Sequence, residues 1–240
     1  MRRPSLKRLA LAAGLLFVGP VVVAHGRVWL DGAAPSESAG SPAQGRLVHG
    51  HPLPPTGPGH VTYSYLGASF GRQYVHGAVR DALLDAFAAV AAARPGRRFV
   101  VGETGHRRGG PFWPHRTHQN GLSVDIFVPL RDGAGRPEDV ATYPWNKLGY
   151  GVEFDAQGRR GDLTIDFDDL ARLLSALDEK ARSRGLRVQR IILAPEYVPL
   201  LLASPAGRAL GPLSGAILRR QVWVRHDEHV HIDFALRARR

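Results

Sequence analysis

The chain has no cysteine. That absence excludes disulfides, cysteine-ligated zinc and thiol catalysis together, and it leaves histidine, aspartate and glutamate as the strong metal ligands. Acidic residues are also scarce, 21 Asp and Glu against 32 Lys and Arg. The resulting formal charge of +11 favours anionic partners by long-range attraction but does not choose among nucleic acid, acidic lipid and acidic polymer. No nucleic-acid-binding motif occurs and the arginines are not interleaved with aromatics, so nucleic acid is not an expected partner. What is present, 240 residues of which 44% are hydrophobic, is enough for one ordinary domain with a real core.

The first 24 residues read as a secretory signal. Arg2, Arg3, Lys7 and Arg8 form a basic start, Leu9 to Ala24 is uncharged and mostly apolar, and Ala24 is the small residue at the expected cut. The alternative is a single membrane anchor, but Gly14, Gly19 and Pro20 interrupt a run that is already short for a bilayer. Arg2-Arg3-Pro4-Ser5-Leu6-Lys7 also has some likeness to a twin-arginine export signal, and without cysteine nothing suggests a lipoprotein. A periplasmic or secreted protein with no stable membrane insertion after signal removal is expected. Residues 25–60, dense in Gly, Pro, Ala and Ser, read as a linker or arm with little to bury.

From residue 61 to 240 the pattern is that of a folded domain. Val61, Tyr63 and Tyr65 alternate as in a half-buried strand. Val79, Leu83, Phe87 and Val90 fall at helical spacing between His76 and Arg94, before Pro95-Gly96. Short strands are predicted over 98–102 and 122–128. A second helix starts after the N-cap Asp166, buries Leu170, Leu173, Leu174 and Leu177, and stops at Gly185. A strand over 188–193, a short helix over 196–203 and a final strand within 221–234 complete the reading. The expected class is α+β, a small, mainly antiparallel sheet flanked by helices with a zinc site on its open face.

Five of the 11 histidines lie in two short segments, His115-Arg116-Thr117-His118 with Asp125 following, and His226-Asp227-Glu228-His229-Val230-His231-Ile232-Asp233. Neither a solvated surface nor an apolar core needs such a concentration. In the strand around Asp125, Ser123, Asp125 and Phe127 face opposite to Leu122, Val124, Ile126 and Val128. In the last strand His229, His231 and Asp233 share one face and Val230, Ile232 and Phe234 the other. His118, Asp125 and His231 would then make a three-ligand zinc site with a position open for water, the mark of a catalytic metal. His229, beside His231, is the candidate proton carrier. His226 lies at odd offset and joins only if Asp227-Glu228 forms a bulge or turn. Asp227 and Glu228 read as solvent-facing turn residues, with Glu228 an alternative base, and Asp233 as either a partner for a ligand histidine's other ring N–H or a solvated carboxylate. Trp113, Trp145, Tyr150 and Trp223 are candidates to line a groove, and Gly109-Gly110 to shape the loop before it.

His118-Gln119-Asn120-Gly121-Leu122-Ser123-Val124-Asp125, preceded by Gly109-Gly110 and His115 and followed by His226 to His231, resembles the penicillin-insensitive murein endopeptidases. These belong to the wider lysostaphin, D-Ala-D-Ala metallopeptidase and hedgehog group. The shared pattern is His, six residues, Asp, then a distant His-x-His. The resemblance implies a zinc enzyme that cuts peptide cross-links of peptidoglycan, typically between D-alanine and meso-diaminopimelate. It implies His118, Asp125 and His231 as metal ligands, His229 as the catalytic histidine, and His226 and His115 as accessory active-site histidines. The chain departs from relatives that carry cysteines, which leaves the ligand pattern untouched. Two other readings stay open, a D-Ala-D-Ala carboxypeptidase on the same scaffold and a metal-binding wall module without catalysis.

Overall fold

A computed structural model describes residues 6–31, 34–222 and 224–237, with the backbone alone for residues 6–17. Arg2, Arg3 and Trp223, singled out above, lie outside the described residues. The chain opens with helix α1 (Leu6–Leu30), then a hairpin of β1 (Glu37–Ser41) and β2 (Gln44–Val48). Short strands β3 (His51–Pro52), β4 (Thr56–Gly57) and β5 (His60–Thr62) lead to α2 (Tyr65–Ser69), β6 (Tyr74–Val75) and the long α3 (Gly77–Ala93). There follow β7 (Phe99–Val101), β8 (Ser123–Phe127), β9 (Leu130–Arg131), β10 (Pro137–Glu138), β11 (Arg159–Arg160) and β12 (Leu163–Ile165). Helix α4 (Phe167–Ser183), β13 (Leu186–Ile192), α5 (Tyr197–Ala203) and β14 (His229–Leu236) end the described fold.

The main sheet runs β13-β14-β8-β7-β5-β4, antiparallel except for the parallel pair β5 and β7. With α3 and α4 packed together over it, the protein is a mixed α+β fold, and no barrel occurs among the described residues. Helix α4 forms where its sequence supports it at both ends. The Asp166 side chain accepts the Asp169 N–H, Asp168 and Asp169 sit in the positive first turn, Lys180 and Arg182 in the last, and Gly185 takes φ +70° just beyond. Leu170, Leu173, Leu174 and Leu177 bury fully and meet Val79, Leu83 and Phe87 of α3 and Val124, Ile126, Val230, Ile232 and Phe234 of the sheet. Each such side chain contributes about 1.5–3 kcal/mol relative to exposure.

Buried charge ties the helices to the sheet. Arg97, 3% exposed, donates to Asp169 at 2.7 Å, to Asp166 at 3.0 Å and to the Leu130 carbonyl at 2.8 Å. Arg97→Met leaves buried Asp166 without its cation and Asp169 hydrogen-bonded to Arg94 alone among the described cations, so denaturant unfolding should show a loss of roughly 3–5 kcal/mol with little change in m-value.

Two expectations need correction. Residues 25–60 are not a loose arm. The hairpin's Leu47 is 2% exposed, His51 and Leu53 are buried, and backbone bonds run from Leu47 N–H to Arg108 O (2.9 Å), Gly110 N–H to Gly45 O (3.1 Å) and Gln119 N–H to Pro42 O (3.0 Å). Main-chain pairing does here what large apolar side chains do elsewhere, and composition does not register it. Close approach matters too. Gly121 has φ +74°, and a Cβ there would meet Leu47 at 2.7 Å. The strand expected through Tyr65 stops at Thr62, because the Ser64 hydroxyl caps α2 by accepting the Gly67 N–H at 3.0 Å.

At the N-terminus α1 continues past Ala24, which is 3% exposed. Arg27 donates to Ser69 O and the Tyr74 hydroxyl, both at 3.1 Å, and Asp31 accepts the Tyr74 O–H at 2.5 Å. Among the described residues no helix is long and apolar enough to cross a membrane.

Candidate metal centre

Strand register builds the site. β14 runs antiparallel to β8 with His231 opposite Asp125, His229 opposite Phe127 and Asp233 opposite Ser123. Because side chains alternate, the residues that face away from the helices are His229, His231 and Asp233 on one strand and Ser123, Asp125 and Phe127 on the other. His118 and His115 come from the loop between β7 and β8, which the β1–β2 hairpin clamps. His118 has φ +68°, a left-handed conformation that costs a non-glycine residue roughly 1–3 kcal/mol and is held here by its surroundings.

The Asp125 carboxylate is the hub. His231 Nδ1 lies 2.8 Å and His118 Nε2 3.3 Å from its Oδ1. Tyr150 donates its hydroxyl to Oδ2 at 3.2 Å, and His229 Nε2 and His115 Nδ1 each stand 3.8 Å from Oδ2. Burial alone would raise the Asp125 carboxyl, but the surrounding histidines hold it well below the ordinary range.

The tautomer of His118 decides what this cluster wants. A carbonyl can only accept, so His118 Nδ1–H donates to Thr104 O at 3.1 Å. Complete burial lowers the His118 pKa and keeps the ring neutral, although Asp125 opposes the shift. Its Nε2 is therefore a bare lone pair, buried without a hydrogen-bond partner, facing a carboxylate oxygen. Two acceptors at that distance in a dry site are stable with a cation shared between them.

The remaining donors fit the same demand. His231 Nε2 points to Asp233 Oδ1 at 3.0 Å, and Asp233 in turn accepts Ser123 Oγ (2.6 Å) and Arg190 Nε (2.7 Å). An Nε2–H held by Asp233 makes Nδ1 the atom turned toward Asp125 and His118. Burial lowers the His231 pKa, but the hydrogen bonds to Asp125 and Asp233 outweigh it and raise it to about 9. His115, Nε2 at 2.6 Å from Glu103 Oε2, also turns Nδ1 toward Asp125. The donor atoms of His115, His118 and Asp125 lie within 4.8 Å of one another, a group able to hold a metal ion. His115, expected as an accessory residue, thus stands among the donors, while His231, expected as a ligand, reaches the group through its bond to Asp125.

His229 and His226 complete the wall. His229 Nδ1 donates to Glu228 Oε1 at 3.0 Å, and Asp125 and Glu228 together raise its pKa against the effect of burial. His226 takes φ +57° in the loop before β14, which turns its ring to 4.7 Å from that of His229. The left-handed residue is His226 itself, and Asp227-Glu228, where a bulge or turn was expected, form a bend between it and β14. Burial, then the neighbouring His229, lowers its pKa to about 4. The expected solvent-facing pair is a correction: Asp227 is 3% and Glu228 4% exposed. Asp227 accepts the Phe154 N–H at 2.8 Å and pairs with Arg225, while Glu228 holds His229.

Sequence reasoning missed Glu103, which has no motif around it. It accepts Tyr63 O–H at 2.7 Å, pairs with Arg72 and holds His115; burial would raise its pKa, but these partners lower it to about 2. Tyr150 was visible only as an aromatic near glycines. Of the other aromatics named, Trp113 and Trp145 are 85% and 80% exposed.

These residues surround an open cavity of about 420 Å³ that reaches His115, Asp125, Tyr150, His229 and His231. Buried histidines with perturbed pKa values, held by carboxylates around a solvent-accessible cleft, are the equipment of a hydrolase. The family model described as penicillin-insensitive murein endopeptidase matches residues 38–238, and the chain belongs to that family. It is a peptidase that acts on peptidoglycan. No curated protein matches the chain. The match begins inside β1, in accord with the structural part played by the hairpin.

Proposed function

We propose that this protein is a zinc-dependent endopeptidase that opens peptide cross-links of peptidoglycan at the bond between D-alanine and meso-diaminopimelate. The observation that supports the metal is the unpartnered, deprotonated Nε2 of His118 facing Asp125 Oδ1. His118, Asp125 and His231 are the proposed ligands, and the alternation that puts Asp125 and His231 opposite each other supports that choice. When bound, zinc would acidify a water molecule and polarise the scissile carbonyl.

The chain's own residues do the rest. His229, fixed by Glu228 through Nδ1, presents Nε2 to the cavity and carries the proton from the attacking water to the leaving amine. Tyr150 and His226 line the same cleft; the Tyr150 hydroxyl is held on Asp125 Oδ2, and neutral His226, its Nδ1–H given to the Val224 carbonyl at 2.8 Å, turns an accepting Nε2 to the substrate side. His115, oriented by Glu103, supports the metal or the bound water from the cavity's other side.

Residues 1–24 act as an export signal that delivers the enzyme to the periplasm or beyond. Removal after Ala24 would leave Arg27 and Asp31 bound to Tyr74. The test is digestion of purified cross-linked muropeptide dimers beside pentapeptide monomers, with metal analysis of the same sample. Dimers should yield monomers, a chelator should stop the reaction, and zinc should restore it. Release of D-alanine from pentapeptides alone would make the protein a carboxypeptidase, and no release from either would make it a binding module.

A further inference from the structure

The cavity wall carries three cations, Arg116, Lys147 and Arg190, and they are not equivalent. Arg190 is tied to Asp233 by contacts of 2.5 and 2.7 Å. Arg116 has a partner of its own. The wall's two carboxylates are likewise engaged, Asp125 with His231 and Glu228 with His229. Lys147 differs. It is exposed and, among the described residues, its side chain has neither hydrogen bond nor ion pair.

Its backbone is held in a conformation that side chains rarely take. Lys147 and Leu148 are both left-handed, at φ +54° and +57°. Two such residues in succession cost roughly 1–2 kcal/mol each. The turn persists because Asn146 overdetermines it. Asn146 Oδ1 accepts the N–H groups of Tyr143 (3.0 Å) and Gly149 (2.9 Å), and its Nδ2 donates to Ala141 O (2.7 Å). Leu148 packs against the core, and Tyr150, three residues beyond the lysine, bonds Asp125 itself. A strained, braced turn therefore fixes the backbone from which the unpaired Lys147 side chain reaches the cavity wall.

An unneutralised cation carried on a fixed turn at the lip of a reaction cleft can meet an anion on the substrate. If the scissile bond is the one proposed above, on which this inference rests, the leaving residue bears a free carboxylate on the carbon next to the departing nitrogen. We propose that Lys147 binds that carboxylate and so selects cross-links whose leaving-group residue is ionised. Lys147 is then a specificity residue that touches substrate but moves no proton.

The experiment uses the full chain loaded with zinc and two muropeptide dimers that differ only in this carboxylate, free or amidated. Wild-type enzyme should show a KM about 10- to 100-fold lower for the free acid, the range expected of one charge-assisted bond. Lys147→Met should raise KM for the free acid by a similar factor, leave kcat within about threefold, and no longer distinguish the two dimers. Lys147→Arg should keep most of the discrimination. An unchanged melting temperature for each variant shows that the turn survives. The proposal is overturned if wild-type enzyme treats the dimers alike, or if Lys147→Met still discriminates. If zinc-loaded wild-type enzyme cleaves neither dimer, the endopeptidase reading falls first and takes this inference with it.

Discussion

His118→Ala should abolish metal binding and reduce hydrolysis of cross-linked muropeptides by about three powers of ten or more, since a metal supplies several kcal/mol of transition-state stabilisation. The expectation rests on the geometry of one nitrogen. His118 Nε2 is fully buried, has no hydrogen-bond donor to satisfy it, and faces Asp125 Oδ1 at 3.3 Å. Removing it leaves Asp125 with His231 and takes away one of the proposed ligands. The measurement is bound zinc per chain together with turnover, with melting temperature as a check on the fold. His118→Asn, whose side chain tolerates the left-handed backbone better, guards against a result that merely reports unfolding. A variant with full zinc content and wild-type turnover would falsify the ligand set.

The second large effect belongs to His229. His229→Gln should lower kcat by about 10²- to 10⁴-fold while leaving zinc content near one per chain, because general acid–base catalysis contributes on that scale. His229 Nε2 stands 3.8 Å from Asp125 Oδ2, near enough to serve a water molecule bound beside that carboxylate, and its other nitrogen is occupied by Glu228. If His229 were instead a ligand, zinc would be lost along with activity. That outcome would exchange the roles of His229 and His231. Metal analysis and turnover on the same preparation therefore separate the two assignments.

Much of the site was legible in the sequence because its logic is local. A strand alternates faces with period two, so His229, His231 and Asp233 had to share a side, and so did Ser123 and Asp125. The structure adds that the two faces are the same one, with His231 directly opposite Asp125. Helices α3 and α4 were equally readable, from apolar spacing and from the capping residues Asp166 and Gly185. What escaped was non-local. Glu228 looked like a solvated turn residue and is 4% exposed, because burial in a loop depends on what packs over it. Glu103 has no spacing signal, yet it gathers Arg72, Tyr63 and His115. The β1–β2 hairpin looked like a linker because its attachment is made by main-chain hydrogen bonds, which composition cannot show.

The sequence by itself determined the residue types and their phases: no thiol, a His and an Asp separated by six residues, a His-x-His on one strand face, and two amphipathic helices to cover the other. Those follow from covalent order and the fixed periods of helix and strand. Only the tertiary structure decided which nitrogen of His118 is bare, that His226 swings into the cleft at φ +57°, and that Lys147 stands unpaired at its lip. Each of these depends on partners brought from distant parts of the chain, and side-chain tautomer, burial and pairing are properties of that assembled environment.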